Sequence, residues 1–260
     1  MNVRDCAILG LGYLGRPLAE RLYQNGCAVA AIKHQLTSDD INLPINLEAA
    51  DLNLQTLDEL SCWPQWQNKP VWICLLPPSA LSDYVGVIDS WLQRAREYGV
   101  EQVIYSSSTG VYGEAERICD EFSELAPASA STEKVCAAEQ LFINSGIPNV
   151  DILRFGGLYS AQRHPLNSLL KRQNIAGAHQ TVNMIHQDRA VSALVYAAQQ
   201  AAGIRIRNIV ENRHPPKHIF YAQEALKLGL PEADFNKNDQ RSGKTIISAF
   251  HDFDTICAVD

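Results

Sequence analysis

Residues 10–15 read Gly10-Leu11-Gly12-Tyr13-Leu14-Gly15, and this stretch decides the fold. The apolar run Val3–Leu9, interrupted by Arg4 and Asp5, leads into it, and a helix-like segment, Arg16–Asn25, follows. The G-x-G-x-x-G spacing is informative between a strand and a helix, because each glycine then has a physical task. Gly10 permits the tight turn, Gly12 lets a pyrophosphate approach the backbone, and Gly15 lets the helix pack closely on the strand. The start of the helix adds free N–H groups and the positive end of a dipole, both of which favour phosphate. The expectation is a dinucleotide site built on Gly10, Gly12, Tyr13, Leu14 and Gly15.

Outward from this turn, strand and helix patterns alternate. Asn25-Gly26 marks a turn, and Cys27–Ile32 reads as the second strand. Ser38–Pro44 is polar and loop-like, Leu47–Leu52 reads as a short third strand, and Leu54–Leu60 as a short helix. Val71–Leu76 is a fully apolar strand stopped by Pro77-Pro78. Leu81–Tyr98 carries Tyr84, Val87, Ile88, Trp91, Leu92 and Ala95 at helical spacing. Val103–Ser106 and Val150–Phe155 read as strands, with the helix Glu133–Asn144 between them. This rhythm predicts an α/β fold, a Rossmann-type doubly wound parallel sheet with helices on both faces. Past Gly156 the pattern loosens into helices at Leu166–Gln173, Asp188–Ala202 and Lys217–Leu228 and a strand at Ile206–Val210. Residues 1–155 are read as the dinucleotide-binding domain. Residues 156–260 are read as a small C-terminal substrate lobe over the carboxyl ends of the strands, its segments interwoven and its boundary soft.

The bulk properties bound the function. The 260 residues are 46% apolar and 20% charged, ordinary values for a soluble globular protein. A net charge of −7 argues against a nucleic-acid partner. No apolar run is long enough to cross a bilayer, and the N-terminal residues do not read as a signal peptide. The seven cysteines are odd in number and form no C-x-x-C pair, so they read as reduced core thiols of a cytoplasmic protein. His179 and His186 lack the spacing of a metal site, and no G-x-S-x-G turn suggests a hydrolase.

The segment Val103–Gly113, Val-Ile-Tyr-Ser-Ser-Ser-Thr-Gly-Val-Tyr-Gly, resembles a signature of the extended short-chain dehydrogenases/reductases, relatives of nucleotide-sugar epimerases and dehydratases. Four other segments are similar in order and distance: Gly10–Gly15, Ala50-Asp51-Leu52, Leu153–Tyr159 and Asn183–Asp188. The resemblance covers the chain up to about residue 230 and is strongest to the atypical, YeeZ-like members of this NAD(P)-dependent epimerase/dehydratase group. It implies that Asp51 bonds the adenine beside Leu52, and that Leu75, Leu76 and Pro77 line the cofactor ribose. It places Ser108 at the substrate-orienting hydroxyl, with Thr109 next to it. It also implies a homodimer through Leu81–Tyr98 and Glu133–Asn144.

A site for NAD carries an acidic side chain at the end of the second strand, about 20 residues past the glycines. That place holds Lys33, followed by His34, with Asp39 and Asp40 only in the next loop. A cation there neutralises a 2′-phosphate, so NADP(H) is expected over NAD(H).

The family's reductive chemistry uses a Tyr-x-x-x-Lys pair on one helix face. Here Lys134 is preceded four residues earlier by Ala130; a second register, set on Glu139, puts Ser131 and Val135 at the pair positions. Neither restores a tyrosine. Two classes of function follow. One is an NADP-dependent oxidoreductase or epimerase-like enzyme with rewired acid/base groups drawn from Tyr112, Lys134, Tyr159 and His186. The other is a catalytically silent dinucleotide-binding regulator or redox-ratio sensor. Basic residues near the substrate side, Arg154, Arg163, His164, Lys171 and Arg172, point to a small anionic substrate, with Arg154, Tyr159, Arg163 and His186 as its candidate contacts. Arg154 ends a buried strand and therefore needs a carboxylate or a ligand.

Overall fold

A computed structural model describes residues 4–259, so Val3 of the first predicted strand lies outside the described residues. In chain order the elements are β1 (Cys6–Leu9), α1 (Gly15–Gln24), β2 (Val29–Lys33), α2 (Ser38–Ile41), β3 (Asn46–Ala49), α3 (Leu54–Asp58), α4 (Trp63–Trp66) and β4 (Val71–Cys74). There follow α5 (Tyr84–Glu97), β5 (Gln102–Ser108), a 3₁₀ turn (Thr109–Tyr112), β6 (Ile118–Cys119), α6 (Ala130–Ile143), β7 (Asn149–Phe155) and β8 (Gly157–Tyr159). The last are α7 (Leu166–Leu169), β9 (Met184–His186), α8 (Gln187–Ala198), β10 (Ile204–Ile209), α9 (Lys217–Leu228), β11 (Thr245–Ile246) and α10 (Asp254–Cys257).

Seven strands form one parallel sheet in the order β3-β2-β1-β4-β5-β7-β10. The chain adds strands outward from β1 on one side, then returns to add β4 and its successors on the other. The strand order therefore reverses between β1 and β4, and the glycine turn leaves β1 at that point. In open α/β sheets the crevice outside such a switch point is where ligands bind.

Each face of the sheet buries its own core, as expected for a parallel sheet covered on both sides. On one face Trp72 of β4 stacks on Trp63 at 5.9 Å and meets Trp66 edge-on at 4.9 Å, with Trp91 and Phe142 beyond. On the other, Leu18 and Leu22 of α1 and Val191 and Leu194 of α8 pack with Ile8, Ile73 and Ile104. A third, smaller cluster holds Leu166, Met184, Phe220, Tyr221 and Phe235.

Three local features depart from the sequence reading. Ser38–Ile41 is a helical turn rather than loop, because Asp40 accepts the Thr37 backbone N–H in a capping box. The segment read as Ile206–Val210 runs from Ile204 to Ile209 and joins the main sheet beside β7. Helix α8, which precedes it, covers the sheet face with α1. The chain beyond residue 156 therefore supplies both an edge strand of the sheet and the smaller cluster. Finally, the tail returns: β11 pairs with β6, which ties residues 245–246 to the loop after β5.

Candidate dinucleotide and substrate site

The glycine turn has the geometry its sequence requires. Gly10 sits at φ +106°, a conformation that side chains resist, and its N–H bonds the carbonyl of Ile32 at 3.1 Å. A Cβ on Gly15 would lie 2.2 Å from the Gly10 carbonyl oxygen, so only glycine lets α1 sit this close. A Cβ on Gly12 would meet nothing within 4 Å. The space over Gly12 is open, and it faces the start of α1, whose cap residue Leu14 has no side-chain acceptor for the first N–H groups.

Two cavities meet over this turn and share Gly10, Gly12, Leu75, Leu76 and Pro77. The first, about 320 Å³, is lined by Lys33, His34, Asp51, Leu52 and Leu81 as well. The second, about 350 Å³, continues past Tyr13, Leu14 and Gly15 to Ser106–Ser108, Val135, Leu158 and Arg163. All twelve residues expected at the cofactor thus line one crevice at the switch point. Its walls are largely apolar, and the space over Gly12 is open.

At one end of the crevice, Lys33 Nζ bonds Asp40 Oδ2, and Arg16 Nη1 lies 3.4 Å from Asp40 Oδ1. Asp40 is 0% exposed and also accepts from the Thr37 N–H and hydroxyl. Burial alone would raise its carboxyl; the Lys33 and Thr37 hydrogen bonds outweigh that and hold it at about 2. His34 Nε2 stands 3.5 Å from Asp51 Oδ1 at the exposed rim.

At the other end, Ser108 Oγ accepts the N–H of Gly110 at 3.0 Å, which leaves its hydroxyl proton to donate into the crevice. Thr109 is buried and lines a separate cavity. Two other candidates lie inside the fold. Tyr112 is fully buried; its hydroxyl donates to Asn208 at 2.9 Å and accepts Arg154 Nη1 at 2.8 Å. Burial pushes the phenol up, against the opposing pull of Arg154. Arg154 is the buried partner of Glu139, with bonds of 2.9 and 2.7 Å. Its carboxylate is thus within the protein, and neither Tyr112 nor Arg154 is placed to reach a ligand in the crevice.

Helix α6 carries the residues of both registers. Val135 lines the crevice beside Ser106–Ser108, and Glu139, one turn on, faces Ser107 and Arg154. Lys134 points elsewhere, 3.4 Å from the Ser82 carbonyl. Val135, of the register set on Glu139, thus lines the crevice, whereas half-buried Lys134, of the other register, does not.

Tyr159 donates to Glu211 at 3.0 Å, and the same carboxylate accepts the His186 N–H at 3.0 Å. Burial and Glu211 both raise the Tyr159 phenol. His186 also caps α8, its Nδ1 accepting from Asp188. Arg163 lies over the ring of Tyr13, 4.9 Å from its centre, on the crevice wall. His164 is buried near Glu224, and Lys171 and Arg172 are exposed.

The sequence reading missed Lys217 and Lys244, which line the cavity next to Thr109. Among the described residues no group of three or more His, Cys, Asp or Glu could hold a metal. No helix among them is long and apolar enough to cross a membrane. All seven cysteines are free thiols.

No family model matches the chain. It is 30% identical over 254 residues to Protein YeeZ of Escherichia coli (strain K12), covering 94% of this chain and 91% of that protein. MoeE5, solved with UDP-glucose and NAD, shares the fold at a TM-score of 0.78 and 19% identity, over 97% of this chain and 92% of that one. UDP-glucuronic acid 4-epimerase from Bacillus cereus, solved with NAD, does so at 0.77 and 17%, over 97% and 90%. With a relative 30% identical that spans nearly its whole length, the chain belongs to the YeeZ family.

Proposed function

We propose that this protein binds a nicotinamide dinucleotide, NADP(H) in preference to NAD(H), and works as an oxidoreductase or epimerase-like enzyme on a small anionic substrate. The observation that carries the reading is the crevice over Gly12, open to a ligand and bounded by Lys33 and His34 at one end and Ser108 at the other. The preference for a 2′-phosphate rests on which charges a ligand meets. Asp40, the carboxylate nearest Lys33, is fully buried and committed to Lys33, Arg16 and Thr37, so it cannot accept bonds from a ribose diol. Lys33 keeps two further N–H donors for a phosphate. The complexes of MoeE5 and of the Bacillus cereus epimerase contain NAD, and that fact belongs to those proteins.

When bound, the dinucleotide supplies or accepts hydride. The chain's part is to hold it along the glycine turn and to orient a substrate oxygen with the Ser108 hydroxyl. Val135 gives the crevice an apolar wall where the family's lysine would stand. That residue favours a second reading, a dinucleotide-binding regulator without turnover, whose cofactor shifts a conformational equilibrium. The seven free thiols fit a cytoplasmic protein. A homodimer through α5 and α6 would bury a groove lined by Gln93, Arg96, Gln140 and Asn144.

Calorimetric titration with NADPH, NADH and their oxidised forms tests the reading. NADPH binding at least tenfold tighter than NADH is expected, with the order reversed in Lys33→Asp. Absence of binding by all four overturns it.

A further inference from the structure

A cavity of about 180 Å³ lies outside the crevice, between the 3₁₀ turn that follows Ser108 and the strand and helix of the smaller cluster. Its floor includes Thr109, the residue after the crevice hydroxyl, and Met184, whose strand β9 pairs with β8 beside Leu158. Two ammonium groups, Lys217 and Lys244, reach into it.

Lys244 is placed by a dense set of bonds. Its carbonyl accepts Thr181 Oγ1 at 2.8 Å and Asn183 Nδ2 at 2.9 Å. The residues after it pair with β6. Its Nζ donates to the Thr109 carbonyl at 3.0 Å and to the Gly113 carbonyl at 2.5 Å. Lys217 opens α9 and bonds Gln180 Oε1 at 2.6 Å. Burial lowers both amines, and Glu114 opposes that in each. The carboxylate that faces them is Glu114, whose side chain is 84% exposed and 3.9 Å from Lys244 Nζ. Arg117 adds positive charge near Lys244. The hydrogen-bond partners of both ammoniums are thus neutral oxygens, and Glu114 faces them from the rim.

We propose that Lys217 and Lys244 form an anion subsite of this protein, outside the crevice, and take the phosphate group of a phosphorylated small molecule. Two lysines act as point charges, which suits a polyvalent phosphate; a single carboxylate is better matched by an arginine fork. Among the described residues no arginine lines the cavity. The anion subsite does not rest on the dinucleotide reading above.

The test uses inorganic phosphate as the probe, titrated into the protein with and without saturating NADPH, with succinate as the carboxylate control. Each lysine is also followed by mass spectrometry after brief acetylation, with and without phosphate. Phosphate is expected to protect Lys217 and Lys244 and to bind at least tenfold more weakly to Lys217→Met and Lys244→Met, with NADPH affinity unchanged in both. Should Lys244→Met fail to fold, Lys217→Met and the labelling of the unaltered protein decide. Phosphate binding unchanged in Lys217→Met, or protection at other lysines only, overturns the subsite. Succinate binding tighter than phosphate overturns the choice of phosphate. NADPH binding without phosphate binding sinks this subsite alone, whereas phosphate binding without any dinucleotide binding sinks the dinucleotide reading and leaves the subsite standing.

Discussion

Glu139 of α6 receives Arg154 of β7 through both carboxylate oxygens, at 2.9 Å from Nε and 2.7 Å from Nη2, beneath the floor of the crevice. The carboxylate also accepts the hydroxyl of Ser107, and the guanidinium donates to Tyr112, which bonds Asn208 of β10. One buried chain of polar groups therefore ties α6 to three neighbouring strands. Removing one partner of such a pair leaves a buried charge alone, a cost of about 3–5 kcal/mol. Arg154→Ala is predicted to lower the unfolding free energy by about that amount in urea titration. Glu139→Leu with Arg154→Met should lose less than Arg154→Ala alone. Equal stability of Arg154→Ala and the unaltered protein would show that the pair does not hold the fold together.

Asp40 makes the fold sensitive to acid. Its folded-state value of about 2 lies below the ordinary 3.8, so the unfolded chain binds the proton more readily. The stabilisation is complete above about pH 4 and is lost as the pH falls through about 2. Asp40→Asn should be less stable than the unaltered protein at pH 7, and the gap should close on acidification. Urea midpoints at a series of pH values check this, and a gap independent of pH would contradict it.

Lys134 and Val135 are adjacent in sequence but separate in role. Lys134→Ala is predicted to leave dinucleotide affinity within about twofold, since its amine lies at a surface carbonyl. Val135→Asp, which puts a negative charge on the crevice wall, should weaken binding at least tenfold. Fluorescence titration with NADPH reads both; a large loss in Lys134→Ala would restore that lysine to the site.

The parts of this site legible in the sequence were those whose meaning is local. Gly10, Gly12 and Gly15 announce themselves because a turn, an approach and a close packing need glycine at fixed offsets. The doubly wound parallel sheet followed from the alternation of elements, and Asp51 and Leu75–Pro77 line the crevice because they lie just past strand ends. What could not be read was pairing across the chain. Arg154 looked like a ligand contact until Glu139, fifteen residues earlier, took it. The register of α6 was open because Lys134 and Val135 both sit at plausible spacings, and that Val135 is the one lining the crevice shows only in the packing beside Ser106–Ser108. Lys244 is more than 130 residues from the carbonyls it bonds, in a tail without periodicity, so no spacing rule pointed to it.

Gly15 and Gly12 separate scaffold from site. Gly15→Ala puts a methyl group into the Gly10 carbonyl and is predicted to lower the melting temperature by several degrees. Gly12→Ala meets no protein atom, so its melting temperature should stay within about a degree.

The most direct test of the dinucleotide site is therefore calorimetric titration of NADPH into the unaltered protein and into Gly12→Ala, with melting curves of both. The account predicts NADPH binding by the unaltered protein, at least tenfold weaker binding by Gly12→Ala, and matching melting curves. Equal affinity in the two proteins, or no binding to the unaltered one, would contradict it.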